Sequence, residues 1–382
     1  MNIGIITSSF PSRPDDTVRA PFLIEFIGEL RKRKHQVFVF TQDREGEKEE
    51  FLDGVRIKWF PWVKSKKPLV QLSPFRPMDF LRILSLFYQG RITLPSFIRE
   101  NKIEACLALW VFPSGYFANR AFRQARIPYS VWSLGSDIYR YGKNPFLYPT
   151  MRRIIHEARG VFADGFDLSK RVEDRFGRKC FFLATTRTIP FSSPVSVGIR
   201  KWTGDPYHFL FVGRIERVKG IDLLLESLAC LKEEASNVRL TVVGSGSMEE
   251  WARRFIREKR LEEYVSWMGK VSDQALASLY DASHCVVIPS RSESIPVVFS
   301  EALKFNKELI VTDVGDMGML GRQYGVARVI PPENVGALKQ AMKESADLKD
   351  HENEKRNEAR KEELKHLFDI GTSAGRFLAD FQ

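Results

Sequence analysis

The chain has 382 residues, a hydrophobic share of 43% and a formal charge of +11. That length calls for two domains, each able to bury its own core. Nothing suggests disorder before the last fifth, and no apolar run reaches the ~18 residues of a transmembrane helix. The charge is uneven: residues 1–190 hold 32 Lys and Arg against 19 Asp and Glu, while residues 191–382 hold 27 against 29. The two halves should therefore meet different partners. Cys106, Cys180, Cys230 and Cys285 are widely spaced and read as free buried thiols of a reducing compartment. The six histidines form no HxxxH or HExxH pattern, so no bound metal is expected.

The opening, Met1-Asn-Ile-Gly-Ile-Ile-Thr7, lacks a basic region and reads as a first strand, not a signal peptide. A glycine-free loop containing Phe10-Pro11 and Arg19 follows, then a helix over 22–34 with Phe22, Phe26, Ile27 and Leu30 on one face. The strand 35–41 completes a βαβ unit. Phe60-Pro-Trp-Val-Lys-Ser-Lys-Lys67 mixes aromatics with basic residues. The helical stretch 78–88 carries an apolar stripe, Phe80, Leu81, Leu84 and Phe87, assigned to core packing, with a membrane-facing role as the alternative. Strands at 103–110 and 128–134 bracket a helix. The second strand ends in Leu134-Gly135-Ser136-Asp137, where Gly135 supplies a tight turn and Asp137 is a site carboxylate, a loop-ordering group or a helix cap. A last strand, 180–183, leads to Ala184-Thr-Thr-Arg-Thr-Ile189 and a Pro-, Ser- and Gly-rich linker over 191–205.

The second half restarts the βα alternation. A strand over 208–214 ends in Gly213-Arg214, and the loop after it ends in Lys219-Gly220. Arg214 can fork two phosphate oxygens and Lys219 adds a mobile point charge; the alternative is a surface charge pair. A strand follows at 239–244, ending in Gly244-Ser-Gly246, and then the segment 265–271, which contains Lys270. The most informative stretch is Pro289-Ser-Arg-Ser-Glu293-Ser-Ile-Pro296-Val297-Val-Phe-Ser-Glu301-Ala302. An apolar strand precedes it and a short helix, 297–305, follows, with Ser294 as its expected N-cap and Pro296 near its first turn. Glu293 then lies at the carboxyl end of a strand. Glu301 lies one turn into the helix, tilted back towards its start, so both carboxylates are expected to face one crevice. The helix-start N–H groups suit a phosphate there. Read without context, Glu293 is a loop charge and Glu301 an acid favoured by the helix dipole. A charged helix is expected over 346–365 and a short amphipathic one over 372–381.

The pattern P-S-x-x-E-x-x-P-x-x-x-x-E-A after a strand, together with G-R-x-x-x-x-K-G, resembles the signature of the family 4 (group 1) retaining glycosyltransferases, in a divergent branch. The likeness implies the GT-B fold: an α/β protein of two doubly wound, Rossmann-like domains facing a cleft. Its domains would be an acceptor domain, 1–190, and a donor domain, 206–365, with a C-terminal helix, 366–382, crossing back to the first. It implies transfer of a sugar from a nucleotide-diphosphate sugar, with retention, no obligatory metal and no cofactor. By the same likeness, Glu293, Arg214 and Lys219 serve the chemistry. Gly213, Gly244, Lys270, Ser294, Ile295, Pro296, Val297 and Glu301 bind the donor, with Glu293 near the reacting centre and Glu301 at the ribose hydroxyls. Arg19, Gly135 and Asp137 line the acceptor side. Leu134 stands where the family has a histidine near the donor sugar, and the residues 184–190 replace the family's P-N-G turn.

A lipid-linked or cell-surface saccharide acceptor is expected, with no nucleic-acid partner and a cytoplasmic setting. Trp59, Phe60 and Trp62, with Lys64, Lys66 and Lys67, would seat the enzyme on the inner face of an anionic membrane. A sugar-nucleotide epimerase of the same fold and an inactive nucleotide-sugar-binding module are the alternatives. Leu134 leaves one sugar hydroxyl without a polar partner. A donor lacking that hydroxyl, such as a 6-deoxy sugar, should therefore outperform UDP-glucose in a side-by-side turnover assay, and full activity with UDP-glucose alone would remove the idea.

Overall fold

The computed structural model describes residues 1–11, 20, 22–43, 46, 50–52, 54–65, 69–142, 144–189, 206–234, 237–347 and 352–381. Arg19 and the linker 191–205 lie outside these. The chain forms two compact units, Met1–Thr185 with Ile370–Gln382, and Thr186–Asp369.

The first unit runs β1 (Asn2–Ile6), α1 (Phe22–Lys32), β2 (Gln36–Gln42), β3 (Glu50–Leu52), β4 (Val55–Phe60), α2 (Pro77–Glu100), β5 (Ala105–Leu109), α3 (Ser114–Ala125) and β6 (Tyr129–Ser133). It continues with α4 (Tyr148–Glu157), β7 (Val161–Ala163), α5 (Phe166–Phe176) and β8 (Phe181–Phe182). The strand order is β3-β4-β2-β1-β5-β6-β7-β8, with only the β3–β4 pairing antiparallel. Strands such as Ala105–Leu109 are buried throughout because helices cover both sheet faces. Side chains alternate between faces: Cys106 and Ala108 join Phe97, Phe117 and Ile154 on one side, Leu107 and Leu109 join Phe26 and Phe377 on the other.

The second unit runs β9 (Tyr207–Val212), α6 (Ile221–Glu233), β10 (Val238–Val243), α7 (Glu249–Glu258), β11 (Val265–Gly269), α8 (Asp273–Ala282) and β12 (Cys285–Ile288). Then come α9 (Val297–Lys304), β13 (Glu308–Thr312), α10 (Met317–Tyr324), β14 (Arg328–Ile330), α11 (Val335–Asp347) and α12 (Glu352–Leu367). Its six strands are all parallel in the order β11-β10-β9-β12-β13-β14. The order reverses between β9 and β12, the switch point where open α/β sheets leave a crevice at the strands' carboxyl ends.

Four expectations change. The helix expected over 78–88 is α2, which runs on to Glu100, and Phe80, Leu81 and Leu84 of its stripe face solvent instead of the core. Trp59, Phe60 and Trp62 are buried, and the Trp62 indole N–H donates to the Asp43 carbonyl, so they are not interfacial aromatics. Lys66 and Lys67 lie outside the described residues. Cys230 is exposed, unlike the other three cysteines. The charged helix expected over 346–365 falls across α11 and α12, with 348–351 outside the described residues.

The last helix, α13 (Ile370–Ala379), belongs to the first unit. Phe377 packs against Phe26 with ring centroids 6.0 Å apart, and the Arg376 guanidinium donates to the Phe182 carbonyl at 2.9 Å. Phe377→Ala should therefore lower the first unit's stability by about 3–5 kcal/mol, measured as an earlier denaturant transition. An unchanged transition would mean that α13 is not part of that core.

Candidate functional site

At the switch point of the second unit, β9 leads through Gly213 into a loop whose tight turn, Arg217–Lys219, ends at Gly220. Gly220 has φ 72°, and a Cβ there would lie 2.0 Å from the Pro289 carbonyl oxygen. Only glycine lets this loop press against the segment leaving β12. The Arg291 guanidinium fixes the contact. It forms two hydrogen bonds to the Asp222 carboxylate at 2.7 and 2.9 Å, donates to the Arg217 carbonyl at 2.5 Å and to Glu333 at 2.6 Å. The Arg291 N–H donates to the Val218 carbonyl at 2.8 Å. Neither Arg291 nor Asp222 stood out in the sequence, because an Arg–Asp pair 69 positions apart leaves no local signature.

The cross-tie brings two expected site residues together. The Lys219 ammonium donates to the Glu293 carboxylate, and both side chains are about four-fifths buried. Glu293 sits on the loop between β12 and α9. A second glycine supports that loop: Gly315 has φ 54°, and its Cβ would fall 2.2 Å from the Glu293 carbonyl oxygen. The Asp316 N–H donates to the Ser294 carbonyl at 3.3 Å. Gly315 and Asp316 are thus positioning residues that sequence reading missed.

Ser294 is not the N-cap of α9; Pro296 takes that position. The Ser294 hydroxyl is buried with no hydrogen-bond partner among the described residues. Ile295 is buried and Val297 opens the helix. Arg214 points elsewhere, pairing with Glu216 at 2.9 Å from a largely exposed position. Gly244 donates its N–H to the Gly269 carbonyl at 2.7 Å, and Lys270 is exposed just beyond it.

Glu301 differs most from expectation. It is 2% exposed, and both carboxylate oxygens are already engaged: one accepts from Arg187 Nε at 2.5 Å, the other from the Tyr280 hydroxyl at 2.7 Å. In this structure it is one half of a buried ion pair. Arg187 also donates to Asp273 at 2.8 Å. Burial opposes the Arg187 charge, yet Glu301 and Asp273 outweigh it and hold the guanidinium above its ordinary pKa. Burial, reinforced by the Glu301 carboxylate, pushes the Tyr280 hydroxyl well up. Thr186 and Lys304 extend the network, the Lys304 ammonium reaching the Arg187 carbonyl at 2.9 Å. A cavity of 280 Å³ opens beside it, lined by Arg187, Thr188, Ile189, Glu301, Lys304 and Phe305.

In the first unit, β1 and β5 flank the corresponding reversal of strand order. Gly135 adopts φ 91° at the end of β6. Asp137 is fully buried, accepting from the Val111 N–H at 2.7 Å and the Ser133 hydroxyl at 2.9 Å. It orders the loop leaving β5 and does not line a binding surface. Leu134 packs partly buried against the core around Trp132.

Two family models match: "Glycosyl transferases group 1" over residues 197–362 and "Glycosyl transferase 4-like" over residues 16–164. The chain belongs to the group 1 glycosyltransferases. It is 33% identical over 115 residues to a D-inositol 3-phosphate glycosyltransferase of Pseudarthrobacter chlorophenolicus, covering 29% of this chain and 27% of that protein. It is 26% identical over 261 residues to the D-rhamnosyltransferase WbpZ of Pseudomonas aeruginosa, covering 64% and 65%. The match to the first of these curated relatives spans only about a quarter of that protein's length. Among solved structures, a sucrose-phosphate synthase from Thermosynechococcus elongatus aligns with TM-score 0.73 and 17% identity over 100% of this chain and 99% of that one. Anabaena HepE in complex with UDP aligns with TM-score 0.71 and 16% identity over 100% and 99%. These likenesses establish the GT-B fold.

Two measurements check the buried carboxylates. Arg187→Ala leaves Glu301 charged and unpaired, and should cost about 3–5 kcal/mol of second-unit stability; Arg187→Met combined with Glu301→Leu should recover most of it. Burial raises the Asp137 carboxyl to about 6, against the hydrogen bonds from Val111 and Ser133. A raised carboxyl pKa means the folded chain holds its proton longer than the unfolded one. The associated stability is full below the ordinary Asp range and is lost as pH rises through about 6. Asp137→Asn should flatten that part of the first unit's stability profile, and an unaltered slope would count against the assignment.

Proposed function

We propose that this protein transfers a sugar from a nucleotide-diphosphate sugar to an acceptor, with retention at the anomeric carbon. The observation that carries the reading is the Lys219–Glu293 pair held at the β9/β12 switch point. A leaving nucleotide diphosphate needs preorganised positive charge. Lys219 supplies it from the loop after β9, and Arg214 of the same loop, paired with Glu216 in this structure, would turn to the diphosphate when the donor binds. On this reading Glu293 reaches the donor sugar near the reacting carbon, and Lys219 divides its charge between that carboxylate and the diphosphate. The buried, unpartnered Ser294 hydroxyl would gain a partner when the donor binds. The reaction would need no metal, since these cations offset the charge that a metal would otherwise neutralise. The complexes of HepE with UDP and with UDP-glucose support a nucleotide-sugar donor of this kind.

The acceptor would be a lipid-linked or cell-surface saccharide precursor bound by the first unit. The excess of positive charge in residues 1–190 supports work at an anionic membrane surface from the cytoplasmic side. A sugar-nucleotide epimerase would instead need carboxylates free for proton transfer, and Glu301 is committed to Arg187 and Tyr280.

A panel of labelled nucleotide sugars tests the reading: transfer or slow hydrolysis supports it, a new isomer indicates an epimerase, and binding alone indicates an inactive module. Lys219→Ala and Arg214→Ala should each cost about 2–4 kcal/mol of transition-state stabilisation, with little change in unfolding midpoint. Wild-type turnover of both variants with every donor used would overturn the assignment.

A further inference from the structure

The first half of α2 carries apolar side chains on two sides, inward and outward, with Asp79, Arg82, Ser85 and Gln89 between them. The inward side, Leu86, Gly90, Leu94 and Phe97, packs on the sheet and α3, where Gly90 lies against the Phe117 ring. The outward side is just as apolar. Met78, Leu81, Leu84, Tyr88 and Ile92 recur at helical spacing along one stripe, each 49–64% exposed. Phe75, 94% exposed, extends the stripe beyond the helix start. Soluble chains rarely expose so long a contiguous apolar patch. From Met78 to Ile92 the stripe runs roughly 21 Å at the helical rise of about 1.5 Å per residue.

The exposed charges along the stripe itself are basic, and the one exposed acid of α2, Glu100, closes the helix beyond it. Arg76, Arg91 and Arg99 are exposed along α2. Between positions 76 and 99 the sole acid is Asp79, which is buried and paired with Arg82 at 2.9 Å. The segment after β4 lies alongside, tied by Arg82 to the Lys64 carbonyl at 3.1 Å and by Val63 to the Ser85 hydroxyl at 3.0 Å. It adds the exposed Val63 side chain to the same margin, together with the Lys64 ammonium, which is paired with Asp43 at 3.1 Å. No helix among the described residues is long and apolar enough to cross a membrane. An apolar stripe with an arginine margin is the pattern of a helix lying in the plane of a bilayer surface.

We propose that the outward face of α2 seats the first unit on an anionic lipid bilayer, with the stripe among the upper acyl chains and Arg76, Arg91 and Arg99 at the lipid phosphates. A second copy of this chain is the weaker occupant, because it would bring an equally basic margin against the first. This inference rests on the membrane reading of the acceptor but not on the donor chemistry.

The test is flotation of the full chain with vesicles of phosphatidylcholine alone, and of phosphatidylcholine mixed with phosphatidylglycerol, at low and high salt. Wild type should float with the anionic vesicles at low salt and lose most of that binding in neutral vesicles or high salt. Leu81→Gln, Leu84→Gln and Ile92→Gln combined should lower the partition coefficient at least ~10-fold, each lost apolar contact adding to the loss. The unfolding midpoint should not move, and Tyr88→Ala alone should give a smaller loss in the same direction. Arg76→Gln with Arg91→Gln should reduce both the binding and its salt dependence. No flotation of wild type at low salt, or undiminished flotation of the triple variant, would overturn the proposal. So would a dimer in solution that the triple variant converts to monomer. Donor hydrolysis, measured without vesicles, should be unchanged in every variant. Its loss in wild type would overturn the donor reading and leave this one standing.

Discussion

The site depends on one guanidinium. Arg291 leaves the end of β12 and binds Asp222, the Arg217 carbonyl and Glu333, while its N–H bonds the Val218 carbonyl. The loop after β9 and the loop after β12 thereby become one piece. Parallel strands alone would end side by side and let their loops splay, since neighbouring strands fix only the register of their own ladder. The fork geometry of arginine is what makes the tie rigid, because a lysine would offer a point charge without a plane. Lys219 and Glu293 meet because this tie and two glycines leave their loops no other arrangement.

The second carboxylate of the E-x(7)-E pattern is held in an ion pair. Glu301, Arg187, Asp273 and Tyr280 form a buried network in which every charge has a partner. Such a network adds little net stability, because desolvation offsets most of the attraction, but it is costly to leave incomplete. Its effect is positional. It fastens residues 186–187, where the second unit begins, to α8 and α9 through side chains and through Lys304. The helix that follows Glu293 is therefore anchored from the opposite end to the site.

What was legible in the sequence follows from distance along the chain. The β/α alternation, the glycine turns and the Arg214–Lys219 loop are local patterns, and each shows in a window of a dozen residues. Glu293 could be placed because strand, loop and helix stand together. The partner of Glu301 could not, because Arg187 lies 114 positions away in a segment that departs from the family's usual turn. The stripe of α2 failed for another reason. Periodicity tells which residues share a face, but when both faces are apolar it does not tell which one the core takes. Trp59, Phe60 and Trp62 misled by composition: aromatics among lysines read as interfacial, yet β4 buries the first two rings and the Asp43 carbonyl holds the third. Ser294 precedes the helix like a cap, but Pro296 already fixes the entry.

The placement of α13 bears on how the chain is made. The hydrophobic layer that holds Phe26, Trp132 and Phe162 is closed by Phe377 and Leu378, supplied from the far end of the polypeptide. A ribosome delivers the amino-terminal unit first, but that unit must wait for the whole of its neighbour to be synthesised before its last layer arrives. Between those two moments, the part of that layer that α13 covers is open to whatever surrounds the nascent chain. Domains ordinarily fold as they emerge; here the first to emerge is the last to be completed. Its exposure during synthesis grows with every residue of the 184 that separate Thr185 from Ile370.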